Sequence, residues 1–209
     1  MPDFQGISEK LQQGRADDVK KLVQAEVAAG TPVGDILRKG LIAGMGVIGE
    51  KFKKNEVYVP EVLIAARAMN AGLSVLEPLL AKAGVKPLAK VAIGTVKGDL
   101  HDIGKNLVAM MLKGAGFEVD DLKIDVTAEK FVDAARRGAK LICLSALLTT
   151  TMPQMKAVVA ALHGAGLAVP VLIGGAPVTQ SYAEEIGAQG YAPDAASAVD
   201  VAKQLLRVK

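Results

Sequence analysis

The chain is poor in cysteine, histidine and aromatic residues. Its 209 residues include one cysteine, two histidines, no tryptophan and only 3% aromatic residues. The single cysteine, Cys143, excludes an internal disulfide, which suits a reducing compartment, and its apolar neighbours predict a small buried side chain. The scarcity of aromatic side chains argues against the base-stacking surfaces of proteins that bind single-stranded nucleic acid.

Net charge and long apolar runs are also limited. The formal net charge is +3, which is too small to indicate a nucleic-acid or acidic-membrane partner. We expect no run to approach the roughly 18 apolar residues of a transmembrane helix, and the N-terminal residues lack the pattern of a signal peptide. The sequence therefore predicts a cytoplasmic protein without a membrane or nucleic-acid partner.

The sequence pattern changes near residues 84–90, which predicts a domain of residues 1–86 and a second of residues 87–209. Four helical segments with short connections predict that the first domain is a four-helix bundle, with Thr31 as N-cap and Pro32 at the first position of the third helix. That third segment is rich in glycine, which indicates either close helix packing or room for a flat ligand. Its glycines are Gly40, Gly44, Gly46 and Gly49.

Strand-like and helical segments alternate through the second domain. The predicted strands are 90–96, 117–122, 140–147, 169–175 and 190–192, and the predicted helices are 104–115, 128–137, 153–165, 179–187 and 195–207. Strict alternation indicates a parallel sheet covered by helices, here a flavodoxin-like or Rossmann-like α/β fold with strand order 2-1-3-4-5. Ligands bind such sheets at the carboxyl ends of the strands, between strands 1 and 3.

The loop after the first predicted strand, "KGDLHDIG", contains one of the two histidines, His101. It is not a phosphate-binding P-loop, because five residues separate Gly98 from Gly104 and Asn106 stands where Ser or Thr is needed. It also lacks the glycine pattern of a dinucleotide site. A phosphoacceptor receiver domain would share the fold but needs an aspartate where this chain has Ser145.

His101 is a candidate metal ligand, because Asp99 could accept its second ring N–H and fix its orientation. A closed zinc site is not readily built, since the remaining candidates are only Cys143 and His163. One oriented histidine is better suited to a metal that brings its own equatorial ligands, as in a haem or a corrin.

Three short motifs resemble the cobalamin-binding signature of methionine synthase and of the corrinoid methyl-carrier proteins. They are Asp99-x-His101-x-x-Gly104, Ser145-x-Leu147 and Gly174-Gly175. The stretch "GMGVIGEKFKKNEVYVPEVLIAARAM" is similar to the helical cap domain of the same family, so that the resemblance spans nearly the whole chain. It implies a cobalamin cofactor, as methylcobalamin, cob(I)alamin or a related corrinoid, with cobalt as the metal.

The resemblance also implies a role for individual residues. His101 would be the lower axial ligand of cobalt, Asp99 would accept its other N–H, and Thr151 (with Thr150 as a nearby alternative) would continue the relay. Residues expected to contact the cofactor and its displaced nucleotide tail are Gly98, Asp99, Leu100, His101, Asp102, Gly104, Ser145, Leu147, Thr149, Gly174, Gly175 and Ala195. Candidates to cover the upper face of the corrin, or simply to form the bundle core, are Met45, Val47, Phe52, Tyr58 and Val59.

The implied function is that of a methyl carrier, which is not catalytic alone. Its expected partners are a substrate-specific methyltransferase, a second methyltransferase acting on tetrahydrofolate or a thiol, and a reductive activator. Overall resemblance favours an aryl methyl ether as methyl donor, and methylamines, glycine betaine and methanol are the alternatives. A cobalamin-sensing regulatory module and the cobalamin subunit of a mutase share the fold. The first usually carries an added output domain, and the helical cap argues against the second.

Overall fold

The computed structural model describes residues 2–208, which form two compact units. The first contains the described residues up to Pro87 together with Gly114–Gly116, and the second contains Leu88–Lys113 and the residues from Phe117 onward. The first unit is helical and the second combines a sheet with helices. The predicted class, a helical part followed by an α/β part, is confirmed.

Four helical segments make up the first unit, as the apolar periodicity predicts. The first two are α1 (Phe4–Gln12) and α2 (Ala16–Ala28), and the fourth is α5 (Val59–Lys82). The third is continuous and consists of α3 (Val33–Asp35), a π-helical stretch (Ile36–Ile42) and α4 (Ala43–Lys53). Two of the glycines in the third segment allow close packing on α1. A Cβ at Gly40 would come within 3.0 Å of Ile7, and one at Gly44 within 3.2 Å of the Ser8 backbone.

The start of the third helical segment differs from the prediction. The segment begins at Val33, and its N-cap is Pro32 rather than Thr31. The Thr31 hydroxyl instead donates a 2.6 Å hydrogen bond to Glu26 near the end of α2. The Thr31 hydroxyl is therefore hydrogen-bonded to the Glu26 carboxylate and does not cap the helix.

Helix α5 corrects the expectation about apolar runs. It is long and apolar enough to cross a membrane, by length and composition alone, among the described residues. The core helices of water-soluble proteins pass the same test, and 44% of its most apolar 18-residue window is buried in the structure. Since α2 packs along it, we assign α5 to the core of the helical unit.

The residues that resemble a family cap differ in exposure. Met45 is buried, Phe52 and Val59 are half-buried, and Val47 and Tyr58 are exposed. Burial of Met45 agrees with the alternative that it is ordinary core.

The α/β unit contains five parallel strands in the order β2-β1-β3-β4-β5, as predicted. The strands are β1 (Lys90–Thr95), β2 (Glu118–Asp121), β3 (Leu141–Ser145), β4 (Val171–Gly174) and β5 (Gly190–Tyr191). The helices are α6 (Ile103–Gly114), α7 (Ala128–Arg136), α8 (Pro153–Gly164), α9 (Gln180–Ile186) and α10 (Ala195–Leu206).

Alternate residues of the central strand β3 face opposite sides of the sheet. Ile142 and Leu144 lie in a core cluster with Phe131 of α7 and Met155 of α8. The intervening Cys143 is buried and free, and burial raises the pKa of its thiol to about 12, so that it is a neutral core side chain at physiological pH. The apolar residues of the central strand β3 therefore belong to the closed core of the unit.

Candidate functional site

The loops after β1 and β3 begin side by side at one edge of the sheet. Thr95 and Ser145, the last residues of these strands, are register partners, and the Val96 N–H donates to the Ser145 carbonyl at 3.0 Å. The sheet topology thus brings residues 96–102 next to residues 146–152. This is the edge at which a doubly wound sheet changes winding direction and binds its ligands.

His101 projects from this edge with one ring nitrogen held by the protein. Its Nδ1 lies 2.7 Å from Asp99 Oδ1, and its backbone N–H donates to the same oxygen at 3.1 Å. The buried Thr95 hydroxyl donates to the His101 carbonyl at 2.8 Å, so that the backbone of the loop is fixed as well. The imidazole itself is half exposed, with 50% of the side chain accessible to solvent.

Asp99 is fully buried, and the groups around it favour the ionised form of its carboxylate. Burial alone would raise the pKa of this carboxyl, but hydrogen bonds from the Leu147 N–H, the Thr151 hydroxyl and His101 outweigh it and hold the pKa well below its usual range. An ionised Asp99 can only accept a hydrogen bond, so Nδ1 of His101 carries the proton. The lone pair of a neutral imidazole then lies on Nε2, the nitrogen directed away from Asp99.

Thr151 completes the contact expected from the resemblance. Its hydroxyl donates to Asp99 Oδ2 at 2.7 Å, and the side chain is buried. Thr150, the alternative, is exposed. The structure thus joins His101, Asp99 and Thr151 in one hydrogen-bonded chain.

Several large apolar side chains that are close to His101 in sequence, or lie in the other loops at the strand ends, are exposed. Ile103 is 77% exposed and Leu100 is 67% exposed, and both lie within two residues of the histidine. Leu147 and Leu148, in the loop after β3, are each 42% exposed, and Ile124 follows β2. Exposed large apolar side chains at the carboxyl end of a sheet are typical of a binding surface for a largely apolar ligand.

Gly174 and Gly175 end β4 where backbone segments come close together. A Cβ at Gly174 would lie 3.1 Å from the Ala192 carbonyl oxygen. Gly175 has φ +137° and a Cβ there would lie 1.8 Å from the Ala146 carbonyl oxygen, so that no other residue fits this backbone. Gly174 is also the register partner of Ser145, which places these predicted residues on adjacent strands.

The remaining predicted residues occupy separate places along the same strand ends. Gly98 has φ +80° in the loop before His101, and the exposed Asp102 accepts a hydrogen bond from the Asn106 side chain. Gly104 is the second residue of α6, with open space where a side chain would be. Thr149 is exposed, and the buried Ala195 is the first residue of α10.

The sequence interpretation did not identify several residues of this region. Ile103, Leu148 and Ile124 are large apolar side chains that are exposed near the strand ends. Thr95 and Asp125 hold the backbone of the loop before His101. Apolar residues inside a polar loop are a signal that could have identified the first group, whereas Asp125 lies 27 residues from the glycine that it contacts.

The site fits a metal macrocycle better than an isolated metal ion. Within residues 2–208, no group of three or more His, Cys, Asp or Glu side chains is arranged to hold an ion. His101 offers one oriented imidazole nitrogen, and several large apolar side chains in the same and neighbouring loops are exposed. The residues present therefore fit a corrin, which supplies the equatorial ligands of its metal and has a broad apolar face.

Comparison with known proteins agrees with this geometry. Two family models described as B12 binding domains match residues 89–200 and 4–77. The chain is 40% identical to a corrinoid protein of Desulfitobacterium hafniense (strain Y51) over 206 residues, with 96% of this chain and 95% of that protein covered. It is 42% identical to dimethylamine corrinoid protein 2 of Methanosarcina mazei, with 97% of this chain and 96% of that protein covered.

A solved structure extends the agreement to three dimensions. The chain superimposes on one chain of the crystal structure of the methanol:cobalamin methyltransferase complex of Methanosarcina barkeri, with a TM-score of 0.89 and 31% identity. The match covers 99% of this chain and 80% of that chain. The cofactor of the present chain is accordingly a cobalamin or a related corrinoid. The chain belongs to the B12-binding corrinoid proteins of methyltransferase systems.

Proposed function

We propose that His101 is the lower axial ligand of cobalt through Nε2. The observation that carries the proposal is the 2.7 Å contact of Nδ1 with the ionised Asp99, which leaves Nε2 as the free donor atom of a half-exposed imidazole. When bound, the corrinoid supplies a cobalt centre that accepts and releases a methyl group. The remaining roles in the site belong to residues of this chain.

Asp99 and Thr151 orient the imidazole. The carboxylate accepts the hydrogen bond from Nδ1 and so directs Nε2 toward the metal. The Thr151 hydroxyl, at 2.7 Å from the second carboxylate oxygen, keeps the carboxyl plane in place. We therefore propose that this chain of three residues sets the orientation of His101 for ligation of the metal.

The carboxyl ends of β3 and β4 are proposed to accept the displaced nucleotide tail. Gly174 and Gly175 leave no Cβ between neighbouring backbone carbonyls, and Ser145 stands opposite Gly174 on the adjacent strand. Ser145, Thr149, Gly174, Gly175 and Ala195 are the proposed tail contacts. The macrocycle would lie on the exposed apolar surface, with Gly98, Leu100, Asp102, Gly104 and Leu147 around it.

The chain is a corrinoid methyl carrier of a methyltransferase system. We propose that it works in the cytoplasm, that a substrate-specific methyltransferase loads it, and that a second methyltransferase passes the methyl group to tetrahydrofolate or a thiol. A reductive activator would restore it after oxidation. The role of residues 1–86 as a cap domain stays a prediction from the sequence.

The methyl donor separates two versions of this proposal. Overall resemblance favours an aryl methyl ether, whereas the relatives named for dimethylamine and for methanol favour a methylated amine or alcohol. The carrier, with its corrinoid bound, reduced and free of a methyl group, should be tested with each candidate methyltransferase and with an aryl methyl ether, dimethylamine, glycine betaine and methanol. Methylation of the bound corrinoid with one donor class only would identify the donor.

The axial ligand is tested by the spectrum of the purified protein with hydroxocobalamin. Wild-type protein should bind it with the dimethylbenzimidazole base displaced and with histidine in its place. His101→Ala should abolish the histidine-ligated spectrum. His163→Ala is the matched control, because His163 is the other histidine and is exposed in the last turn of α8. An identical spectrum in wild type and His101→Ala would exclude the proposed ligand.

A further inference from the structure

The loop between β2 and α7 contains two residues with left-handed backbone conformations. Lys123 has φ +74° and Asp125 has φ +52°, and neither is a glycine. Such conformations are unfavourable for residues with a Cβ and persist where surrounding contacts enforce them. Two of them within three residues indicate that the path of this loop is imposed by what it contacts.

The loop runs beside the carboxyl end of β1. The Thr95 N–H donates to the Lys123 carbonyl at 3.0 Å, and the Val126 N–H donates to the Thr95 carbonyl at 3.0 Å. Val126 also forms an isolated parallel bridge with Val96. These contacts continue the pairing of β1 and β2 beyond the ends of both strands and bring residue 125 against the loop that contains His101.

Asp125 then binds the backbone of that loop from two sides. Its Oδ1 accepts a 2.7 Å hydrogen bond from the Gly98 N–H. Its own N–H donates to the Asp99 carbonyl at 3.2 Å. Gly98 immediately precedes Asp99 and has φ +80°, so the turn that aims the Asp99 carboxylate at His101 is held by Asp125.

The start of the same loop is anchored by a second carboxylate. Asp121 accepts 2.6 Å and 2.9 Å hydrogen bonds from the ammonium groups of Lys105 and Lys123, and Lys105 is buried in α6. Burial would raise the pKa of Asp121, but these contacts lower it overall. The first residues of the loop between β2 and α7 are therefore held in place, and Asp125 further along the same loop contacts Gly98.

We propose that Asp125 is a positioning residue for the axial histidine. By fixing Gly98 and Asp99 it fixes the direction in which His101 Nε2 points. This inference rests on the proposed function of His101. Asp125 is exposed, so its hydrogen bond to one amide adds little to the stability of the whole chain, and the main effect of losing it falls on the loop and on metal ligation.

Three variants separate the carboxylate from the backbone conformation. Asp125→Gly removes the acceptor but tolerates φ +52°, whereas Asp125→Asn keeps an oxygen acceptor and also tolerates this conformation. Lys123→Gly is the matched control, since it changes the other left-handed residue, whose exposed ammonium contacts Asp121 rather than the loop before His101, and the buried Lys105 still holds Asp121 in this variant.

Two measurements are needed, one without and one with cofactor. In the apoprotein, amide hydrogen exchange of Gly98 should become about tenfold faster in Asp125→Gly and stay near the wild-type rate in Asp125→Asn and Lys123→Gly. With hydroxocobalamin, the histidine-ligated fraction read from the absorbance spectrum should fall about tenfold relative to the unligated fraction in Asp125→Gly only. The melting temperature should change little in all three.

The outcomes distinguish this inference from the proposed function. If His101→Ala has the wild-type spectrum, the proposed ligand is wrong. If His101→Ala loses histidine ligation while Asp125→Gly keeps the wild-type spectrum and Gly98 exchange rate, the ligand stands and the positioning role of Asp125 is overturned. Failure of Asp125→Asn to restore ligation would also overturn it.

Discussion

At the scale of single residues, the Asp99 carboxylate concentrates the interactions of the site. It accepts five hydrogen bonds, from the backbone N–H groups of Leu147, Leu148 and His101, from Nδ1 of His101 and from the Thr151 hydroxyl. The donors come from two loops that are far apart in sequence. One buried charge therefore joins the loops after β1 and β3 and at the same time fixes the imidazole tautomer.

Asp99→Asn should destabilise the protein substantially. The amide nitrogen would replace an oxygen that now accepts from N–H or O–H groups, and at least one buried donor would lose its partner. We expect a loss of about 2–4 kcal/mol in the free energy of unfolding. Urea denaturation at pH 7 measures it, and a loss below about 0.5 kcal/mol would contradict the structure.

The same variant should alter the dependence of stability on pH. The pKa of Asp99 is lowered in the folded protein, so the ionised carboxylate stabilises the fold fully above its unfolded pKa of about 3.9. This contribution is lost as the pH falls from about 4 toward the lower folded value. The difference in unfolding free energy between wild type and Asp99→Asn should therefore shrink on acidification, and urea titrations between pH 7 and pH 3 would detect it.

At the scale of elements, the end of β4 depends on Gly175. Alanine there would place its Cβ 1.8 Å from the Ala146 carbonyl oxygen, which is backbone and cannot move aside as a side chain would. We expect Gly175→Ala to cost about 3 kcal/mol or more, or roughly 10 °C in melting temperature.

Gly187→Ala is the control that separates the cost of a left-handed backbone conformation from the cost of a steric clash. Gly187 has φ +76° at the end of α9, but no atom lies within 4 Å of the position of an added Cβ. Its cost should be only that of the left-handed conformation, about 1 kcal/mol. Equal melting temperatures for the two variants would show that the loop after β4 adapts to the methyl group.

The elements themselves could be predicted from sequence because they depend on local patterns. Apolar strands alternating with amphipathic helices were sufficient to predict five parallel strands and their order. The N-cap at Thr31 was wrong, because the Thr31 hydroxyl binds Glu26 instead. The residues themselves indicate His101 and Asp99 as a ligand and its orienting carboxylate, and the resemblance adds Thr151. Asp125 is not predicted, because a contact across 27 residues leaves no periodic signal in a single sequence.

At the scale of the whole molecule, the two units have separate internal packing, and the proposed axial ligand belongs to the second. A ligand that binds only the native state raises the free energy of unfolding of the part that binds it, by about 2.7 kcal/mol when its free concentration is 100 times its Kd. The site residues described above all lie in the α/β unit. Stabilisation by cofactor is therefore expected in the transition that unfolds this unit.

Calorimetry with increasing hydroxocobalamin should show this transition move upward with ligand concentration. The shift should be smaller in His101→Ala at equal concentration, because that variant lacks the proposed ligand, and unchanged in His163→Ala. A transition temperature that stays constant while hydroxocobalamin rises from its Kd to about 100 times its Kd would contradict binding to the native α/β unit. A shift of equal size in wild type and His101→Ala would mean that the apolar surface and the strand ends hold the cofactor, and that axial ligation adds no binding free energy.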